Sequence, residues 1–208
     1  PSEKLEVTGT VKATAFEGDG SALTGISAGL VNLGTTSVSA ANAITVTLPS
    51  TYKKFFVTFA GLQQSTSSNT QPNVQIGVGG TIQTSNLYVQ QGFQYRGQGG
   101  GSPTFTEENI PANLSGANFA TLGNSNVGNA NSYRNFNAQF EIDTGNSSSF
   151  PIMNYNHYGN QGGSTGSSFV GSGRIFYRDF VTIDRLQLTL ATGTSWNANG
   201  TVTVWGLI

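Results

Sequence analysis

Apolar and polar residues alternate along much of this chain with the period of two that marks strands, and no helical period competes with it. Residues 5–15, LEVTGTVKATA, put Leu5, Val7, Val11, Ala13 and Ala15 on one side and Glu6, Thr8, Thr10, Lys12 and Thr14 on the other. This strand pattern breaks at Gly18-Asp19-Gly20-Ser21, a turn signal, and Leu23-Thr24-Gly25-Ile26 follows. From residue 30 onward the pattern predicts short strands at 44–48, 54–60, 73–78, 87–95, 117–122, 136–142, 150–157, 173–178, 183–190 and 201–207. Phe136, Ala138, Phe140 and Ile142 share one face of their strand, and Ile183, Leu186, Leu188 and Leu190 nearly do. The stretches 64–72, 97–103, 123–132 and 159–168 are polar, rich in Gly and Asn, and lack an apolar period, so they read as loops. Loops on a rigid scaffold are the usual place for recognition. Many short strands with Gly/Asn/Ser connections predict an all-β fold, an antiparallel β-sandwich of jelly-roll type.

A strand with one apolar side cannot fold alone. Identical copies gathered around an axis would cover that side, and the small residues Gly9, Ala13 and Ala15 would let them approach closely. The chain therefore divides into a self-associating segment, 1–29, and a sandwich head, 30–208.

The string TGTVKATAFEGDGSALTGI, Thr8 to Ile26, resembles the repeat G-x-V-x-A-x-x-F-x-G-D-G-S-x-L-T-G-I found in the shafts of bacteriophage tail fibres and some bacterial surface proteins. Phe16, Gly18, Asp19, Gly20, Ser21, Leu23, Thr24, Gly25 and Ile26 carry the match. The resemblance implies a homotrimer, with Leu5, Val7, Val11, Leu23 and Ile26 as the residues expected along its axis. Residues 183–207 resemble the closing hairpin of many phage tail and virion domains, with Trp196 at the aromatic position, Gly200-Thr201 opening the last strand and Val204-Trp205-Gly206 closing it. Arg185-Leu186 stands where that pattern has Ile, which leaves the register open by one residue. Together the two resemblances imply an extracellular location at the distal end of a phage tail fibre, on the virion.

Composition adjusts this picture. Only 9% of residues are charged against 36% hydrophobic, so the solvated surface is built from Asn, Gln, Ser, Thr and Gly. Thirteen Phe, seven Tyr and two Trp supply enough large side chains to fill a core, which argues against disorder. The net charge is −1 with no basic run, which leaves out the counterion-release term of nucleic-acid binding. There is no cysteine, hence no disulfide and no thiolate metal site, and oligomerisation becomes the expected source of stability. No stretch is long and apolar enough for membrane insertion.

Enzyme chemistry finds little to work with. His157 is the sole histidine, too few for a nucleophile relay or a His-built zinc site. The carboxylates after residue 30 are Glu107, Glu108, Glu141, Asp143, Asp179 and Asp184; adjacent Glu107 and Glu108 would point apart on an extended chain, and Asp179 and Asp184 flank arginines as ion pairs would. No metal, cofactor or catalytic residue is expected. A sugar presents an apolar face and an edge of hydroxyls, so aromatic rings beside Asn, Gln and Arg are what a glycan site needs. Tyr95, Arg96, Tyr133, Arg134, Tyr155, His157, Tyr158 and Trp196 are the candidates, with Tyr133, Tyr158 and Trp196 expected at the surface beside loops. The expected partner is a bacterial surface glycan or outer-membrane protein. A structural virion role (capsid decoration or baseplate) and a polysaccharide depolymerase are the competing readings.

Overall fold

A computed structural model describes residues 10, 29–65, 72–85, 87–98, 104–107, 120–122, 133–161, 167–190 and 195–207. The expected trimer-axis residues Leu5, Val7, Val11, Leu23 and Ile26 lie outside the described residues. Every regular element described is a strand. They are β1 (Leu30–Ser37), β2 (Ala43–Thr47), β3 (Lys54–Leu62), β4 (Pro72–Val78), β5 (Thr81–Ile82), β6 (Tyr88–Gln98) and β7 (Thr104–Glu107), followed by β8 (Ala120–Thr121), β9 (Tyr133–Asp143), β10 (Ile152–Gln161), β11 (Ser167–Tyr177), β12 (Arg185–Leu190) and β13 (Thr201–Leu207).

All pairings are antiparallel. One sheet runs β1-β13-β3-β9-β10-β11-β6-β7, and the other runs β2-β12-β4-β5 with β8 also on β4. Four pairs are nested in the chain: β1 with β13, β2 with β12, β3 with β9 and β4 with β8. Two hairpin-like excursions interrupt that nesting. β5 to β7 leave between β4 and β8, β10 and β11 leave between β9 and β12, and together β10, β11, β6 and β7 extend the larger sheet as a wing beyond β9.

Alternation explains the core. Phe55, Val57 and Phe59 of β3, Phe136, Ala138, Phe140 and Ile142 of β9, and Val202 of β13 face Val74 and Ile76 of β4 and Leu186, Leu188 and Leu190 of β12 in one buried cluster shared by both sheets. Phe59 meets Phe140 edge-on, ring centres 5.9 Å apart. Within this core Tyr88, 2% exposed, donates to the Gln83 carbonyl at 3.0 Å and accepts from the Ile76 amide at 2.9 Å. Burial pushes its phenol well above the ordinary tyrosine range, Tyr177 nearby adds to the rise, and the Ile76 amide opposes it.

The registers define two ends. Leu30, Leu207, Lys54, Asp143, Ile152, Phe176 and Val89 form one cross-strand row at the proximal end, where the chain enters β1. Leu62, Phe136, Gly159, Phe169 and Arg96 form a row near the opposite, distal end. β3 leads into 64–72, β6 into 97–103 and β10 into 159–168, while 123–132 leads into β9; every one of these joins its strand distally.

The strand limits differ from those expected in instructive places. β1 was absent from the sequence pattern because Leu33 is a bulge, with Gly34 at φ +140 after it, and most of the strand's side chains are exposed. β10 and β11 run into 159–168 from both sides, to Gln161 and from Ser167, through Gly159, Asn160, Ser167 and Ser168, which do not read as strand formers.

Candidate functional site

The wing solves a packing problem with glycine. On its inner face Tyr155 lies across Gly173 and Gly92, which are opposite each other in the ladder, and His157 lies across Gly171. A Cβ at Gly171 would collide with the imidazole Nε2, and one at Gly173 with the Tyr155 hydroxyl, so only glycine admits these flat rings. Gln90 donates to that hydroxyl at 2.7 Å. His157 stacks between Tyr155 at 5.9 Å and Phe136 at 6.2 Å, and Phe136 in turn stacks on Phe169 at 6.2 Å and meets Trp196 at a tilt, 5.9 Å away. This buried aromatic layer lies under the distal end. Trp196 is held there by backbone bonds to Ala41, whose carbonyl accepts from its amide at 2.8 Å.

The consequence for the expected site is a correction. Tyr155, His157 and Trp196 are 2%, 0% and 0% exposed, so they brace the site from within and none of them faces a partner. Tyr155 and His157 were grouped with Tyr158 by proximity in sequence, but a strand sends alternate residues to opposite faces. Trp196 borders a loop in sequence yet is the large side chain that plugs the distal core. Tyr95 and Tyr158 are at the surface, 45% and 57% exposed. Arg96, Tyr133 and Arg134 have their backbones in β6 and β9, while their side chains lie outside the described ones.

What the outer face of the wing brings together is a row. Tyr158 opposes Val170, and Val170 opposes Tyr95, across three adjacent strands near the distal end. With Phe93 they form a run of exposed apolar side chains. Around it stand Asn156, Asn160, Ser168, Ser172 and Gln91, polar and uncharged, with the Ser168 hydroxyl donating to Asn160 at 3.0 Å. Proximal to the row a shallow hollow of about 700 Å³ is walled by Phe93, Asn154, Asn156, Ser172, Arg174 and Phe176. Arg174 is oriented there by its Nε donating to Asn154 at 2.7 Å and by the Phe176 ring, 5.8 Å beneath it. Amide, hydroxyl and guanidinium donors beside two aromatic faces match what a sugar ring offers.

The sequence reading missed Asn154, Asn156, Val170, Ser172, Arg174 and Phe176. The signal was present in NYNHYGNQ, 154–161, where every second residue from Asn154 is Asn or Tyr158 and all share the outer face.

Carboxylates gather in one described place. Glu141 and Asp143 of β9 line, with Lys54 of β3 and Arg174 of β11, a depression of about 180 Å³. Asp143 accepts from the Gly145 amide at 3.1 Å, capping the turn between β9 and β10, which gives it a structural task. Asp184 similarly accepts from the Gly80 amide at 2.7 Å and lies 3.9 Å from Arg185, so this expected ion pair is a loose contact and the carboxylate serves the β4–β5 turn. Among the described residues no group of three or more His, Asp or Glu side chains is placed to hold a metal ion. No protein family, curated protein or solved structure matches this chain.

Proposed function

We propose that this chain is the receptor-binding tip of a bacteriophage tail fibre. In this reading residues 1–29 form a homotrimeric shaft, residues 30–208 form a jelly-roll head, and the head adsorbs to a bacterial surface glycan without chemical turnover. The nested pairs β1/β13, β2/β12, β3/β9 and β4/β8 support the jelly-roll description, since rolling one long antiparallel hairpin into two sheets produces that nesting. The shaft rests on the motif from Thr8 to Ile26.

The observation that carries the binding role is the Tyr158–Val170–Tyr95 row with its uncharged amide and hydroxyl surround, near the end opposite the one where the chain enters from residues 1–29. A fibre must present its grip away from its attachment. Three heads on one shaft would turn weak single sites into firm attachment through effective concentration.

The test is an array of bacterial capsular and lipopolysaccharide O-chain glycans, together with outer-membrane vesicles, probed with the labelled full chain. Binding to at least one surface is expected, with Tyr95→Ser plus Tyr158→Ser weakening it about tenfold or more, the factor that corresponds to about 1.4 kcal/mol. Release of reducing sugar from a bound glycan would replace adsorption by depolymerisation. Failure to bind every glycan and every vesicle would favour the structural virion role.

A further inference from the structure

β1 is one edge of the larger sheet and β2 one edge of the smaller, each pairing among the described residues on one side, with β13 and β12 respectively. Both edges lie along the same side of the molecule, and between them opens a cleft of about 530 Å³. Leu33, Ile44, Val46, Val202 and Val204 line it, and Leu33, Ile44 and Val204 are only half-buried. These residues belong to the core by alternation, yet no described residue finishes covering them.

Two further features say what does. Exposed edge strands ordinarily carry Lys, Glu or Pro that prevent pairing with another chain. Neither β1 (LVNLGTTS) nor β2 (AITVT) has any of these, and no charged residue occurs anywhere from Ser21 to Tyr52. An uncharged surface meets a copy of itself without like-charge repulsion. Secondly, residues 1–29 join β1 at its proximal end, and β1 is the strand that forms one wall of the cleft. Copies associated through that preceding segment would be brought together on this side first.

We infer that the β1/β2 cleft is an interface between copies of this chain, in which each head closes the open side of its core against a neighbour. The inference rests on the proposed fibre only for the number of copies being three; self-association at the cleft needs no particular function. Burying half-exposed aliphatic side chains and pairing free edge amides would both favour it.

The full chain tests this by sedimentation equilibrium together with amide hydrogen exchange over residues 30–48. Thr36 and Thr47 are exposed residues on the cleft wall, so Thr36→Lys plus Thr47→Lys adds charge to the interface without touching the core. The expected result is a mass that is a multiple of the chain, with β1 and β2 amides exchanging at least tenfold faster in the double variant. Should that variant fold poorly, the cysteine-free background gives a second readout. Thr36→Cys is expected to cross-link between copies with a short bismaleimide while Ser172→Cys, on the wing, does not.

An assembled chain whose β1 and β2 amides exchange as open strands, with no cross-link from Thr36→Cys, overturns the cleft interface and leaves the fibre reading intact. A monomer overturns both. Slow exchange of β1 and β2 in that monomer would assign the cleft to residues 1–28 of the same chain.

Discussion

At the proximal end the connections are tied to one another through their backbones. The Thr144 amide donates to Lys53 O at 3.0 Å, Ile183 to Thr144 O at 2.9 Å, Leu48 to Asp184 O at 2.8 Å and Arg178 to Leu87 O at 2.9 Å, so the loops after β2, β5, β9 and β11 form one bonded layer. At the distal end, among the described residues, such ties link 38–42, 63–65 and 195–200, where Trp196 bonds Ala41 and Ser65 bonds Ser195, and they also join Leu190 to Asn42 and Leu122 to Pro72. The other distal strand ends lead into stretches such as GGSTG at 162–166 and GNSNVGNANS at 123–132, which carry few apolar side chains to anchor them. The described strands at this end enclose the aromatic layer of Phe136, His157, Phe169 and Trp196. Among the described residues the proximal end is marked by bonds that link four connections, and the distal end by a layer of packed rings. Rings packed among the strands allow the adjoining loop sequences to change without loss of the strands.

The largest effect expected is from breaking the ring layer. Phe136 is fully buried and touches three of its members, so Phe136→Ala should cost about 3–5 kcal/mol, read as a fall in the urea midpoint. A loss under about 1 kcal/mol would mean the distal end does not depend on this layer. The proximal counterpart is Gly145, at φ +71, where an added Cβ would stand 2.7 Å from both Pro151 N and Val181 O. Gly145→Ala should cost about 2–3 kcal/mol by thermal unfolding, through backbone strain and the loss of the Thr144–Ile183 tie.

Tyr88 gives a smaller effect with a pH signature. Removing its hydroxyl leaves the Ile76 amide and Gln83 carbonyl without that partner, and Tyr88→Phe should cost about 1–2 kcal/mol at neutral pH. Its phenol stays protonated in the fold when the unfolded chain would release a proton, near pH about 10. Above that pH the unfolded state therefore binds fewer protons, and stability falls as pH rises. Thermal midpoints between pH 8 and 11 should decline for the native sequence, and the gap between it and Tyr88→Phe should narrow. A gap that is constant across this range would remove the buried phenol as the cause.

How far the sequence discloses this molecule follows from which signals are local. Period two in FNAQFEI and RLQLTL is a property of a few neighbouring residues, and β9 and β12 follow it with the expected residues inward. The rings over glycine are not local. Gly171 and Gly173 carry no side chain to signal a buried face, and their fit emerges only when β10 places His157 and Tyr155 across them. The site was half visible for the same reason. Tyr95 and Tyr158 stand out as aromatics, but Arg174 and Phe176 join them only through the register of β11 on β10 and β6, which single-chain periodicity does not contain. Leu33 in its bulge hides β1, and with it the uncharged edge.

The smallest expected change in stability is also the sharpest test of the division between the ends. Tyr95 and Tyr158 are about half exposed, and no described hydrogen bond from either hydroxyl braces the fold. Replacing both by Ser should shift stability by less than about 0.5 kcal/mol per site, as for surface positions away from caps and cores. If the outer face is the grip, the same double variant loses binding while its urea midpoint stays near that of the native protein. If the row instead packs against the wing's own distal connections, the midpoint falls with the binding, by an amount approaching that of a buried aromatic. Measuring both quantities on one preparation therefore separates a surface that recognises something from one that merely completes the fold.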